Sequence, residues 1–269
     1  MQISKISELK KYKRFFAFGC SFTQYWWPTW ADIIGNHISE SYNYGMCGAG
    51  NTFIASSIIE ANKRHKFNAT DLILVMWTNI AREDRYVRNL GGWVLPGNIY
   101  SQPVYDSKFI EKFSCPRGYL LRDMIHIEAS KILLESTGCD WDFMSMVPLT
   151  QISQYINNAS QDNDILELFE DNLKLIKPSF YEIIYNFDYY SRKEYPIRLK
   201  YPLMNDPQLD IHPNPLLHLE YLNKIYPGIS LDPNTKEEMS KITTELSHME
   251  YVIGGMVHDY SISHGERFR

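Results

Sequence analysis

Residues 71–77 read Asp71-Leu72-Ile73-Leu74-Val75-Met76-Trp77, an unbroken apolar run behind one aspartate and the turn-like Asn68-Ala69-Thr70. A strand with one wet face alternates apolar and polar residues; a strand covered on both faces does not. The run therefore predicts an interior strand of a parallel sheet with helices on either side. Toward the N-terminus, Phe15-Phe16-Ala17-Phe18 reads as a first strand ending in Gly19, and Trp30 to Ile38 as a helix. Tyr42 to Tyr44 reads as a second strand before Gly45, Gly48 and Gly50, and a second helix carries Ile54, Ile58 and Ile59. Toward the C-terminus, Ala81 to Arg122 is rich in Gly, Pro, Asn and Tyr and reads as a long functional loop. A helix through Ile125 to Leu134 and a strand from Trp141 to Val147, closed by Pro148, follow. Strands alternating with helices define an α/β chain.

Beyond Pro148 the pattern loosens into helices near Ile165 to Ile176 and Phe180 to Tyr190, then the segment Asp210 to His218. Asp232 and Pro233 mark a helix start, after which Met239, Ile242, Leu246, Met249, Ile253 and Met256 follow steps of three and four. No Gly-, Ser- or Pro-rich linker divides the chain, so residues 1–226 are expected to form one domain and residues 227–269 a helical extension. The extension either packs on that domain or mediates self-association.

The chain has 269 residues, 44% hydrophobic and 22% charged, with a net charge of -5. That balance argues against a general nucleic-acid binder, whose affinity comes from neutralising phosphates. The basic run Lys10, Lys11, Lys13 and Arg14 reads as a solvated surface. Cys20, Cys47, Cys115 and Cys139 have neither metal-ligand spacing nor the density of a disulfide framework, so no metal is expected. The apolar run after the N-terminal lysines is too short for a signal-peptide core, and no segment is apolar enough to span a membrane. A cytoplasmic protein without membrane contact is the expectation.

Four segments carry chemistry. Gly19-Cys20-Ser21-Phe22-Thr23 places Ser21 at the carboxyl end of the first strand, where open α/β sheets have their ligand crevice. It is not the G-x-S-x-G elbow of α/β-hydrolases, and a strand-end serine taken alone is more often a helix cap than a nucleophile. Asn43-Tyr44-Gly45-Met46-Cys47-Gly48-Ala49-Gly50-Asn51 supplies glycines whose N–H groups can approach a substrate; their G-x-x-G-x-G spacing is not a dinucleotide fingerprint. Trp77-Thr78-Asn79 puts an amide donor on the same sheet edge if both strands run parallel. Asp210-Ile211-His212-Pro213 supplies an imidazole and a carboxylate, which a serine needs because its hydroxyl is hardly ionised at neutral pH.

Together these segments, spanning most of residues 15 to 226, resemble the blocks of the SGNH/GDSL hydrolase family in their order and placement. The resemblance implies a flavodoxin-like three-layer α/β/α sandwich with a mainly parallel central sheet, and a serine hydrolase that needs no cofactor. It implies Ser21 as nucleophile, His212 as general base and Asp210 as its partner. Ser21 N–H, Gly48 N–H and the Asn79 amide would form the oxyanion hole. Cys20 stands where the family more often has Asp, and D-x-H replaces the commoner D-x-x-H, which keeps Asp206 as an alternative to Asp210. The expected substrate is a small acyl ester, an acetyl group on a carbohydrate in particular. The Trp77-Thr78-Asn79 segment followed by Arg82, with the D-x-H-P ending, is also similar to SGNH-like proteins of bacterial viruses. Virion association, homo-oligomers, a non-catalytic binding role and acyl transfer to a sugar hydroxyl are therefore the alternatives.

Trp26, Trp27 and Trp93 are candidates for stacking on a sugar, as against filling a core, while Trp30 shares a helical stripe with Ile33 and Ile34. Tyr100 and Tyr105 lie in the same long loop as Trp93. Arg82, with Glu83, Asp84 and Arg85, reads either as a charged wall that binds a substrate anion or as a solvated ion-pair cluster. Cys20 should point away from the cleft that Ser21 faces, since adjacent strand side chains alternate. His218, His258 and His264 read as surface residues.

Overall fold

The computed structural model describes residues 8–89, 91–100, 104–149, 163–186, 198–200, 208–210, 212–248 and 250–252. A short 3-10 turn, Leu9–Lys11, leads into β1 (Arg14–Phe18), α1 (Trp30–Gly35), β2 (Glu40–Asn43), α2 (Asn51–His65) and β3 (Asp71–Trp77). A hairpin of β4 (Arg85–Val87) and β5 (Gly92–Val94) precedes α3 (Ser107–Phe113), α4 (Pro116–Thr137) and β6 (Asp140–Ser145). Then come α5 (Asn163–Leu168), α6 (Glu170–Lys174), a π-helical turn at Tyr181–Tyr185, β7 (Arg198–Lys200), β8 (Gln208–Leu209), α7 (Pro215–Ile225), α8 (Thr235–His248) and β9 (Glu250–Val252).

The central sheet has the order β2-β1-β3-β6, and all of its pairings are parallel. All seven residues of β3 are buried. Leu72, Leu74 and Met76 meet Trp30 and Ile34 of α1, Tyr221 and Leu222 of α7 and Leu246 of α8. Ile73, Val75 and Trp77 face the other layer, with Ile54 and Ile58 of α2 and Leu120, Met124 and Ile127 of α4. The result is the expected α/β fold with helices on both faces. Asp71 tolerates burial because Arg14 grips it with two hydrogen bonds of 2.7 and 2.6 Å, a charge-assisted fork at the strand's entry.

Strand order reverses between β1 and β3, so their carboxyl ends open a crevice between loops that leave in different directions.

Two sequence expectations change. Residues 81–122 are not one loop: they hold the β4–β5 hairpin, α3 and the first turns of α4. Asp106 and Pro116 start these helices, since Asp106 Oδ1 accepts from Phe109 N–H at 2.7 Å and Pro116 occupies the first turn of α4. The C-terminal stripe is helical only to His248, after which Glu250–Val252 pairs in parallel with β7. Met239, Ile242 and Leu246 are buried in the same layer as α7, and the helix is tied down where His37 Nε2 accepts from Asp232 N–H at 2.6 Å. Met249, Ile253 and Met256 lie outside the described residues. No described helix is long and apolar enough to cross a membrane.

Candidate active site

β1 delivers its chain to the crevice through a tight turn in which Thr23 and Gln24 N–H both donate to Cys20 O. A Cβ at Gly19 would stand 2.0 Å from Thr23 Oγ1, so only glycine lets the chain fold back here. The loop after β2 runs alongside: Tyr44 N–H donates to Ala17 O, Met46 N–H to Gly19 O, and Asn43 Nδ2 to Thr23 O at 2.8 Å. These bonds seat the glycine-rich segment beside Ser21, which is 5% exposed.

A segment far off in sequence, between β8 and α7, completes the site. Trp27 Nε1 donates to Pro213 O at 2.7 Å, and Asn214 caps α7 by accepting from Leu217 N–H at 3.0 Å. Between these anchors and β8, Asp210 Oδ1 accepts the His212 backbone N–H at 2.6 Å, an Asx turn. The same oxygen lies 2.8 Å from His212 Nδ1, and His212 Nε2 lies 2.9 Å from Ser21 Oγ. The one-residue spacing of D-x-H is thus sufficient for the carboxylate to reach the ring. With Nδ1 protonated toward Asp210, Nε2 is the basic end that faces the hydroxyl. Asp206 lies outside the described residues.

Gly48 adopts φ +78. A Cβ there would sit 2.2 Å from Leu95 O, and Gly97 N–H donates to Gly48 O at 3.0 Å, so the turn is clamped against the chain after β5. Among the described residues, no protein group accepts from the N–H of Ser21 or Gly48. Asn79 Oδ1 accepts from Ala81 N–H at 2.7 Å, which fixes the amide and leaves Nδ2 as its free donor end. Asn51 holds the preceding residue from both sides, accepting from Thr78 N–H at 2.8 Å and donating to Thr78 O at 3.0 Å. It also donates to Asp123, whose carboxyl is pushed up to about 6 by burial.

Several expected roles change with burial. Trp27 is 1% exposed and braces the His212 segment, so it has no face for a sugar. Trp93 packs edge-on against Phe53 and Tyr86, with ring centroids 5.6 and 5.8 Å away. Trp26 is half-buried and stacks on Tyr25. Trp30 is core. Tyr105 stacks on Phe109 and donates to Glu83 O, and Tyr100 is exposed. Arg82 is no exposed wall: 9% exposed, it lies under the glycine loop, donating through Nη1 to Ala49 O, and its Nε has no partner among the described residues. Glu83 pairs instead with Arg85 at 2.7 Å and Arg122 at 3.5 Å. Asp84 accepts from Gly50 and Phe53 N–H, and burial raises its carboxyl pKa.

Cys20 Sγ points into the core, 3.6 Å from Met146 Sδ and away from the crevice as expected, although the residue lies in the turn after β1 and not on the strand. Desolvation by the surrounding protein pushes the Cys47 thiol up to about 11, so it is no thiolate at neutral pH. His218 is not on the surface. It is fully buried against Phe22 and Phe180, and burial, then the neighbouring His212, push it down to about 3. His258 and His264 lie outside the described residues. Sequence reasoning passed over Tyr25, which touches both Asp210 and His212.

Among the described residues, no group of three or more His, Cys, Asp or Glu is placed to hold a metal ion. No protein-family model matches the chain, and no curated protein does. Among solved structures, a member of the lipolytic protein G-D-S-L family from Veillonella parvula is similar over 78% of this chain and 96% of its own, at 12% identity and a TM-score of 0.41.

Proposed function

We propose that this chain is a serine ester hydrolase of the SGNH/GDSL type, acting on a small acyl ester, an acetyl group on a carbohydrate in particular. One observation carries the reading: Ser21 Oγ, His212 Nε2, His212 Nδ1 and Asp210 Oδ1 form one hydrogen-bonded chain, with links of 2.9 and 2.8 Å.

In the reaction, His212 Nε2 takes the Ser21 proton as Oγ attacks the ester carbonyl carbon. The negative charge on the carbonyl oxygen rests on the N–H groups of Ser21 and Gly48 and on Asn79 Nδ2, donors with no protein acceptor among the described residues. Collapse expels the alcohol, which takes the proton from the imidazolium and leaves an acyl-serine. A water then gives a proton to His212 and attacks the acyl carbon, releasing the acid and restoring Ser21. Asp210 holds the tautomer throughout. Trp26, stacked on Tyr25 beside the imidazole, gives an aromatic face suited to the apolar side of a sugar ring.

Labelling with a fluorophosphonate, together with turnover of p-nitrophenyl acetate, tests the proposal. The wild type should label and turn over, and Ser21→Ala should do neither. A folded wild type that never labels would leave a binding protein in its place, and acetyl transfer to an added sugar in preference to water would make it a transferase.

A further inference from the structure

Because Asp210 is only two positions from His212, one carboxylate oxygen receives both N–H groups of that residue. The other oxygen, Oδ2, then needs a donor of its own. Water is a poor source, since the Asp210 side chain is 2% exposed, and a buried carboxylate oxygen without a donor is strongly disfavoured. Tyr25 fills the place: its hydroxyl donates to Oδ2 at 2.6 Å, a charge-assisted bond. The ring of the same residue lies on the His212 imidazole with centroids 3.8 Å apart and planes 23° from parallel. Tyr25 is itself set against the edge of Trp27, at 4.6 Å, whose indole holds Pro213 O.

We infer that Tyr25 is a positioning residue that fixes the Asp210 carboxylate through its hydroxyl and holds the His212 ring in plane through its face. The inference rests on the hydrolase reading for its catalytic meaning, and its geometry stands without it. The hydroxyl draws charge from Asp210, while the electron-rich ring face favours the imidazolium formed when Ser21 gives up its proton. The other titratable groups beside the pair are the Cys47 thiol and the buried His218 imidazole, both neutral at pH 7. The segment that supplies the nucleophile thereby also supplies the brace for its base, four residues further on.

The test compares full-length wild type, Tyr25→Phe and Tyr25→Leu by the pH dependence of fluorophosphonate labelling and by NMR titration of the His212 ring. Tyr25→Phe keeps the stacked ring and loses the hydrogen bond that fixes the Asp210 carboxylate, so His212 is held less well toward Ser21 and labelling above the acid limb should slow about 10- to 100-fold. Its acid limb should move to higher pH, and the imidazole titration with it, because Asp210 without its hydroxyl donor binds the imidazolium more strongly. Tyr25→Leu should be slower still and should lose the ring-current shift of His212. Labelling of Tyr25→Phe within about twofold of wild type, with an unmoved acid limb, would overturn the inference and leave the hydrolase reading standing. If wild type does not label, the hydrolase reading falls, and an imidazole titration identical in wild type and Tyr25→Phe overturns the inference independently. Should Tyr25→Leu fail to fold, Tyr25→Phe decides alone.

Discussion

Replacing Gly48 by alanine perturbs the site through geometry alone. The residue has φ +78, a conformation that costs a non-glycine residue about 1–2 kcal/mol. The new methyl would begin 2.2 Å from Leu95 O, against an ordinary carbon–oxygen contact of about 3.3 Å, so one strand of the clamp must move by roughly 1 Å. Overpacking of that kind adds about 1–3 kcal/mol. The Gly97 N–H to Gly48 O bond ties the displaced segment to the turn itself, so the Gly48 N–H is re-aimed. Loss of one oxyanion donor lowers turnover by about two to three powers of ten. Gly138→Ala is the control: it has φ +73 at the end of α4 and open space for a methyl, so it carries the backbone cost without the clash. Urea melts and p-nitrophenyl acetate turnover are measured on both variants. Gly48→Ala should be the less stable of the two and nearly inactive, and Gly138→Ala should turn over like wild type. Equal stability of the two variants, or Gly48→Ala turnover within about threefold of wild type, would refute this account of the glycine loop.

Three further outcomes are expected. Asn79→Ala should lose about two to three powers of ten in kcat, and near-normal turnover would remove its amide from the oxyanion site. Trp27→Phe leaves Pro213 O without its donor, so it should cost about 1–3 kcal/mol in urea melts and lower kcat by loosening the His212 segment; a variant unchanged in both assays would show that the indole bond anchors nothing. His218 is held at about 3 against an ordinary value of 6.5, so the unfolded chain takes up a proton there that the folded chain refuses. Stability should therefore fall as pH drops from 6.5 toward 3, by on the order of 5 kcal/mol in total, and His218→Phe should flatten that slope in melts taken across the range. An unaltered slope would place the acid sensitivity elsewhere.

The fold was legible wherever burial leaves a compositional trace. β3 runs from Asp71 to Trp77 as its apolar run predicted, because a strand covered on both faces has no place for an alternating polar residue. Ser21, Gly48 and Asn79 stand at the carboxyl ends of three neighbouring parallel strands, which follows once the strands are read correctly. The long segment after β3 was opaque because Asp106 and Pro116 are the same residue types in a cap as in a loop. Side-chain direction was opaque as well. Nothing in the spacing of Tyr25-Trp26-Trp27 distinguishes a ring that meets solvent from one that reaches across the sheet edge, and the structure turns Tyr25 and Trp27 toward the His212 segment. Arg82 was misjudged for a similar reason, since its charge suggested an exposed group and its donors instead hold a carbonyl beneath the glycine turn.

The Asx turn at Asp210 sets the carboxylate beside the imidazole through contacts local in sequence, and Tyr25 braces the pair from outside. Only one distance in the hydrogen-bonded chain, the 2.9 Å between groups 191 positions apart, depends on the whole molecule having assembled. In the folded chain that contact is framed by α7, which packs against α1 and the sheet. During refolding, return of nucleophilicity at Ser21 would therefore report assembly of this long-range contact and not formation of the local carboxylate–imidazole pair.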